Sequence, residues 1–450
     1  NAEGKILPSD RKVFRFVEDI FAFILIIVLT ITAIVIKIMQ DHMHMQVLNA
    51  DAILVNLGLV FACIAGIITW REDKHLSLAA IHDKLPPVVR KIIDNIASCV
   101  TPMILVQLFL STICQFVNKD QFTNSVIGIF TERFFFFFMP LCYLLLIIMV
   151  LIRKQNRIAS IIGVVLGILS SMGSITGILW YLKEIQDLPL LYGIFDKWNA
   201  FCASATLPLI ILLIALAFAG VPLFVVISGI SYVLFSKSGG YIDMIILESY
   251  SKLCDKSVTA IPLFTIAGYV LAQGSAGKRF INLFSALFGW FRGGTVVATV
   301  LVLTFFSTFT GVSGVTILAL GSLLSIILVG SGYNKDKAEN LITSSGALGL
   351  LFPPSVAIIM YATSNYTVIT QVEPGFDITN LFIGALIPGL LMAVSMIAMG
   401  IVYDKNKSRP KFSLNAILLA LKECIFELLL PLLICITYFS GFFNLFQVAS

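Results

Sequence analysis

Charge is what this sequence has least of. Only 12% of its 450 residues are Asp, Glu, Lys or Arg, about half the ~25% of a typical soluble domain. So little charge cannot cover a water-facing surface of this size, and lipid must cover the rest. Histidine is scarce too, and His42, His44, His75 and His82 all fall in polar segments between apolar runs. Two histidines spaced as His42 and His44 do not share a helix face, which argues against a zinc site. The eight cysteines form no C-x-x-C pair and mostly lie inside apolar runs, so they read as small buried hydrophobes rather than ligands or disulfides. A phosphate-cradling glycine loop and a Ser/His/Asp set are missing as well. Those gaps exclude an enzyme or an ATP-driven pump. The net charge of +5 is spread over short segments between apolar runs, whereas nucleic-acid binding needs a basic face, so nucleic acid is excluded as a partner. No cleavable leader is expected, because the first apolar run, Phe21–Ile38, follows a polar, charged stretch without a small-residue cleavage site.

What is present is apolar runs of membrane-crossing length. About 20 apolar residues in a helix cross a bilayer core. Such runs recur at Phe21–Ile38, Ala52–Thr69, Ile96–Val117, Phe134–Ile152, Ile158–Leu182, Ala203–Phe235, Val258–Gln273, Gly293–Phe309, Val315–Val329, Ser345–Ala362, Asn380–Val402 and Ala416–Phe443. The composition therefore predicts an all-α polytopic membrane protein. Lys and Arg near the first five spans set the orientation. The N-terminal segment and the loops after the second and fourth spans carry twelve of them, against five on the opposite side. The N-terminus is thus expected in the cytoplasm. The run Phe134–Phe138 reads as an aromatic belt with lipid-facing packing.

The chain divides near Arg157. Residues 1–157 read as a four-helix module with charged loops. Residues 158–199 read as a linker helix with an outer loop, needed because four spans return the chain to the side on which it began. Residues 200–450 are richer in Gly, Ser, Thr and Pro within their apolar runs.

Two places in the last module are predicted to break helices. Gly311-Val312-Ser313-Gly314 places glycines around a serine inside an apolar stretch. Broken helix of this kind leaves carbonyls which, with the hydroxyls of Thr310 or Ser313, suit a hard cation such as Na⁺. The bland alternative is a small-residue helix contact. Phe352-Pro353-Pro354-Ser355 removes two adjacent backbone donors, and its bland alternative is a kink or an interfacial turn. Irregular backbone at membrane depth needs surrounding protein or a wet cavity. Gly220 and Pro222 interrupt Ala203–Phe235 in the same manner. The polar segment from Gly330 to Lys337 reads as a connecting loop.

Ile261–Gly268, Gly293-Gly294, the G-V-S-G at 311–314, Gly332-Tyr333, the P-P-S at 353–355 followed by Tyr361, and Pro388-Gly389 stand in an order and spacing that resembles the large permease subunit of TRAP (tripartite ATP-independent periplasmic) transporters. The N-terminal module is similar to the family's small four-helix subunit, most clearly at Trp70-Arg71-Glu72-Asp73-Lys74-His75-Leu76. The resemblance implies fused small and large subunits, the large one an elevator-type module with broken helices and a re-entrant hairpin. It implies a Na⁺-coupled importer of a small organic acid, delivered by a periplasmic binding protein, in a bacterial inner membrane. Residues Thr310, Gly311, Ser313 and Gly314, with Pro353, Pro354 and Ser355, would line the first half of the ion and substrate site. No cofactor is expected beyond Na⁺ as coupling ion, and the expected partners are the binding protein, the organic acid, Na⁺ and membrane lipid.

Two segments depart from the family pattern. Val315–Leu320 is nearly apolar where the family has a small or acidic polar residue, and Asn444–Ala449 lacks the threonines and acid of a later motif. Most of a second inverted repeat is expected to lie outside these residues, leaving the transport site incomplete here. A stand-alone ion-coupled carrier and a non-transporting membrane scaffold are the competing readings. Of the remaining charges, Lys422, Glu423 and Glu427 suit an interfacial amphipathic helix, and Arg292 a side chain reaching for the membrane surface.

Overall fold

The computed structural model describes residues 10–41, 49–78, 86–152, 156–183, 189–239, 242–311, 313–353, 355–362, 378–403 and 412–440. Among these residues the regular secondary structure is helical, apart from one short hairpin. The described chain forms two compact units.

The first unit takes in the described residues of Asn1–Thr32 and Met43–Cys254. Its helices are α1 (Asp10–Asp41, to Thr32), α2 (Ala50–Arg71), α3 (Pro87–Val117), α4 (Glu132–Phe136), α5 (Phe138–Ile152), α6 (Arg157–Ser170), α7 (Met172–Lys183), α8 (Pro189–Ser204), α9 (Thr206–Phe218), α10 (Leu223–Lys237) and α11 (Asp243–Leu253). Strands β1 (Ser125–Ile127) and β2 (Phe130–Thr131) pair antiparallel before α4. Helices α1, α2, α3 and the α4–α5 rod are each long and apolar enough to cross a bilayer. Leu59, Ile104, Phe136, Leu213, Val225 and Ile246 form the buried centre of this unit.

The linker read as one crossing is bent, with 58° between α6 and α7. The bend falls at Ser170-Ser171-Met172-Gly173, a Ser/Gly stretch where helices commonly kink, and α6 packs closely against α3 up to it. Helix α6 buries a stripe of small residues, Ser160, Gly163, Gly167 and Ser170. A Cβ on Gly163 would stand 2.1 Å from the Cys99 carbonyl oxygen, and one on Gly167 2.8 Å from that of Met103. Small residues let helix backbones close to this range, as membrane helices commonly do. The bend frees backbone groups, and Tyr232 Oη donates to the Ser170 carbonyl. A polar seam continues past the bend. Gln107 Nε2 donates to Ser170 Oγ at 2.7 Å, the Ser111 and Ser174 hydroxyls meet at 3.1 Å, and Ser174 Oγ donates to Asp243 Oδ1 at 2.7 Å.

The aromatic run is also divided. Phe134 and Phe137 are exposed, as a lipid belt requires, but Phe135 and Phe136 are buried. Successive residues on a helix turn by about 100°, so five in a row cannot share one face. Phe136 stacks on Phe122, with ring centroids 4.2 Å apart.

After α2, Arg71 pairs with Asp19 at 2.9 Å and Lys74 with Glu72 at 2.7 Å. The Lys74 hydrogen bond and charge hold the Glu72 carboxyl below the usual carboxylate range. The His75 ring lies 5.2 Å from Trp70 and 5.0 Å from Phe224. His42, His44 and His82 lie outside the described residues. The seven cysteines whose side chains are described are free thiols.

The second unit takes in the described residues of Ala33–His42 and Asp255–Ser450. It contains α12 (Lys256–Gln273), α13 (Ala276–Phe288), α14 (Gly294–Thr310), α15 (Ser313–Gly330), α16 (Lys335–Ser345), a 3-10 turn at Leu348–Leu351, α17 (Val356–Ala362), α18 (Ile378–Tyr403) and α19 (Leu414–Phe439). Phe280, Leu283, Val300, Leu303, Phe306, Leu324 and Leu328 make its core, with α14 contributing along much of its length. Glu427 on α19 is held by Arg279 of α13. The segment read as an amphipathic surface helix therefore pairs its acid within this unit. Arg292, in the turn before α14, is exposed.

Candidate functional site

The sequence predicts two helix breaks in the last module, and the structure has both. Helix α14 ends at Thr310, and Gly311 follows it at φ 65°. This left-handed conformation suits glycine, because a side chain there crowds the following carbonyl. The Gly311 N–H still closes the last turn onto the Ser307 carbonyl at 3.0 Å. Helix α15 then starts at Ser313. Ser313 is half-buried, and Gly314 faces open space with nothing within 4 Å of an added Cβ. Val312 lies outside the described residues.

The second break opens after α16. The 3-10 turn at Leu348–Leu351 leads into extended backbone at Phe352 (φ −104°, ψ 141°). Pro353 is half-buried, and Pro354 lies outside the described residues. Ser355, fully buried, stands just before the next helix. Its hydroxyl accepts from the Ile358 N–H at 3.3 Å and donates to the Leu350 carbonyl. That is N-capping chemistry, so the Ser355 hydroxyl is committed to backbone.

The two breaks are packed against each other. Gly349 N–H donates to Ser307 Oγ at 3.0 Å, and Thr308 Oγ1 donates to the Gly349 carbonyl at 3.2 Å. A Cβ on Gly349 would lie 2.1 Å from Ser307 Oγ and 2.4 Å from the Thr304 carbonyl oxygen. Only glycine lets the turn come this close. On the far side, a Cβ on Gly311 would lie 2.2 Å from Val356 Cγ2, in the first residue of α17. Gly311, Pro353 and Ser355 from the predicted set thus belong to one region, while Gly314 stands outside its packed part.

Sequence reading missed the residues that join the breaks. Thr304, Ser307 and Thr308 all lie on α14 just ahead of the first glycine, and all are buried. Their spacing of three and four puts them on one helix face, and that row of hydroxyls in an apolar helix was the available signal. Thr304 Oγ1 and Ser345 Oγ, both buried, have no hydrogen-bond partner among the described residues. Buried hydroxyls are rarely left this way. These two hydroxyl oxygens, the Gly349 carbonyl and the carbonyls at the end of α14 are all neutral oxygen donors on the segments that make the breaks. Such donors suit a desolvated monovalent cation, and they include no base, nucleophile or soft ligand for bond-making chemistry.

The first unit has a different opening, at the interruption foreseen at Gly220 and Pro222. Gly220 takes φ 99°, and Leu223 N–H donates to the Leu76 carbonyl at 2.9 Å, tying this break to the charged segment after α2. A cavity of about 370 Å³ lies here, bordered by Asp73, His75, Asp94, Thr101 and Pro222.

The comparisons with known proteins point to transport. Residues 209–450 match the family described as Tripartite ATP-independent periplasmic transporter, DctM component. The chain is similar to the C4-dicarboxylate TRAP transporter large permease protein DctM of Vibrio cholerae, 32% identical over 197 residues, which is 43% of this chain and 42% of that protein. It is 29% identical over 166 residues to the isethionate TRAP transporter permease protein DctMQ of Oleidesulfovibrio alaskensis, covering 37% of this chain and 25% of the relative. To the ectoine TRAP transporter large permease protein TeaC of Halomonas elongata it is 26% identical over 214 residues, covering 47% and 48%. The chain spans less than half the length of each of these relatives. The family match takes in more than half of the chain and holds both helix breaks and every hydroxyl that joins them, so the chain belongs to the tripartite ATP-independent periplasmic transporters, in their DctM component.

Proposed function

We propose that this chain is the membrane component of a Na⁺-coupled secondary transporter that imports a small organic acid handed over by a periplasmic binding protein. The observation that carries the reading is the meeting of two helix breaks at Ser307, Thr308 and Gly349, beside two buried hydroxyls without partners. Na⁺ is a hard ion suited to oxygen donors, and carbonyls at broken helices serve this purpose in secondary transporters. Thr304 Oγ1, Ser345 Oγ and carbonyls near Gly311 and Gly349 would be its donors. Ser313, at the start of α15, and Thr310 would add to the substrate side, together with the proline segment at 353–354. Ser355 would shape the break from behind.

The substrate class rests on the relatives, whose names specify C4-dicarboxylate, isethionate and ectoine. All are compact and charged, and two are organic anions. The match to the permease protein DctMQ supports fused small and large subunits, with residues 1–157 as the small one. Both breaks lie in the second compact unit, which fits an elevator in which one body carries this half of the site. The membrane is a bacterial inner membrane in this reading, with the N-terminus in the cytoplasm.

The test is uptake into proteoliposomes holding the full-length protein, with labelled C4-dicarboxylate, isethionate and ectoine as the first panel. Accumulation should need both an inward Na⁺ gradient and the matching binding protein. Uptake that proceeds without the binding protein would make this a stand-alone carrier, and uptake indifferent to Na⁺ would remove the ion from the site.

A further inference from the structure

The segment between α3 and α4 is built more firmly than a connection needs to be. Arg133 Nη2 donates to the Asn118 and Gln121 carbonyls at 2.8 and 3.0 Å. Phe122, at φ 57°, is buried with its ring stacked on Phe136 and edge-on to Tyr250 at 4.7 Å. Val126 is buried, and Asn49 Nδ2 holds the Ser125 carbonyl at 2.6 Å. Every inward contact is satisfied, yet the tip turns apolar side chains outward. Ile129 is 91% exposed, and Ile127 and Phe130 stand out beside it. Gly128 between them takes φ 55°, which makes the tight turn possible.

The exposed tip continues into the exposed side of a candidate membrane span. Phe130 lies 4.8 Å from Phe134 by ring centroids. Phe134, Phe137, Leu144, Ile148 and Ile152 are all exposed along α4 and α5, at spacings that keep them on one side of the rod. This rod is long and apolar enough to cross a bilayer, and lipid suits an exposed apolar side of such a helix. The polar exposed residues of the hairpin, Lys119, Asp120, Thr123 and Asn124, precede the tip. Aromatic and aliphatic groups with a polar flank are the pattern of a segment seated at the membrane interface.

We propose that the hairpin tip Ile127–Phe130 is inserted in the headgroup–acyl boundary of the bilayer, where it anchors the N-terminal module against the membrane surface. Lipid is the committed partner because the apolar strip runs without interruption from the span to the tip.

The test uses full-length protein carrying Ile129→Trp, in nanodiscs of phosphatidylcholine or its dibrominated form. Ile129 packs against almost nothing, so the variant should fold, and its emission is read as the difference from the parent. The inference expects the added tryptophan to lose at least half its emission in brominated lipid and to resist quenching by iodide. Emission unaffected by bromine and readily quenched by iodide would overturn it. Protection from iodide that appears only when the periplasmic binding protein is added, still without bromine quenching, would overturn it too and make the tip a protein contact.

Discussion

Gly311 and Val356 fit together so closely that a single methyl group on the glycine would fall 2.2 Å from Val356 Cγ2. One residue follows the end of α14 and the other begins α17, so this contact is where the two broken helices meet. Gly311→Ala should carry two separable penalties. The left-handed backbone costs an alanine about 1–2 kcal/mol, and the clash adds roughly 1–3 kcal/mol. Thermal unfolding of Gly311→Ala in the Val356→Ala background should recover most of the second part, since only the Val356 Cβ, 2.9 Å away, still presses on the added methyl, and should leave the first. Equal destabilisation in both backgrounds would mean that the contact does not govern the break.

Ser307 and Thr308 both serve Gly349, but differently. Ser307 accepts from a buried N–H, and Ser307→Ala would orphan that donor at a cost of ~1–3 kcal/mol. Thr308 only donates to carbonyls that have other lone pairs, so Thr308→Val should cost about 0.5–1.5 kcal/mol. The order of the two unfolding midpoints checks this, and a reversed order would contradict the donor assignment.

The hydroxyls without partners predict the opposite pattern. Thr304→Val and Ser345→Ala remove polar atoms that no described residue satisfies, so stability should be unchanged or slightly raised. If the proposed ion site is right, the Na⁺ concentration for half-maximal uptake should nevertheless rise several-fold. Variants that unfold early while keeping the parent's Na⁺ dependence would show a structural role instead.

Arg279 and Glu427 form an asymmetric pair, with the acid side chain 12% exposed and the arginine 44%. Removing the arginine strands a mostly buried carboxylate. Arg279→Met should therefore destabilise by about 1–2 kcal/mol, below the ~3–5 kcal/mol of a fully buried pair. Glu427→Gln should cost less, and the double variant should recover most of the loss in a double-mutant cycle of chemical unfolding.

Much of this was legible in the sequence, and the reasons for the gaps are physical. The breaks at 311–314 and 353–355, and the one at 220–222, announce themselves through glycine and proline, which act locally. The bend between Ser170 and Met172 has no proline, and its one adjacent glycine, Gly173, is a weaker signal inside an apolar run. The bonds that line it reach α3, more than sixty positions earlier in the chain. Phe134–Phe138 misled for a related reason. Hydrophobicity does not distinguish lipid from core, and it is the distant rings of Phe122 and Tyr250 that mark the inward side. Ser307, Thr308 and Gly349 could be found only by pairing segments 41 and 42 positions apart. Their hydroxyls were visible, but their partner was not.

That separation has a consequence for how the protein is made. Synthesis runs from the N-terminus, so α14 and its row of hydroxyls leave the ribosome before the turn that needs them. The turn at Leu348–Leu351 is therefore made only after the hydroxyls that Gly349 will meet, so its partners exist before its own peptide groups need them.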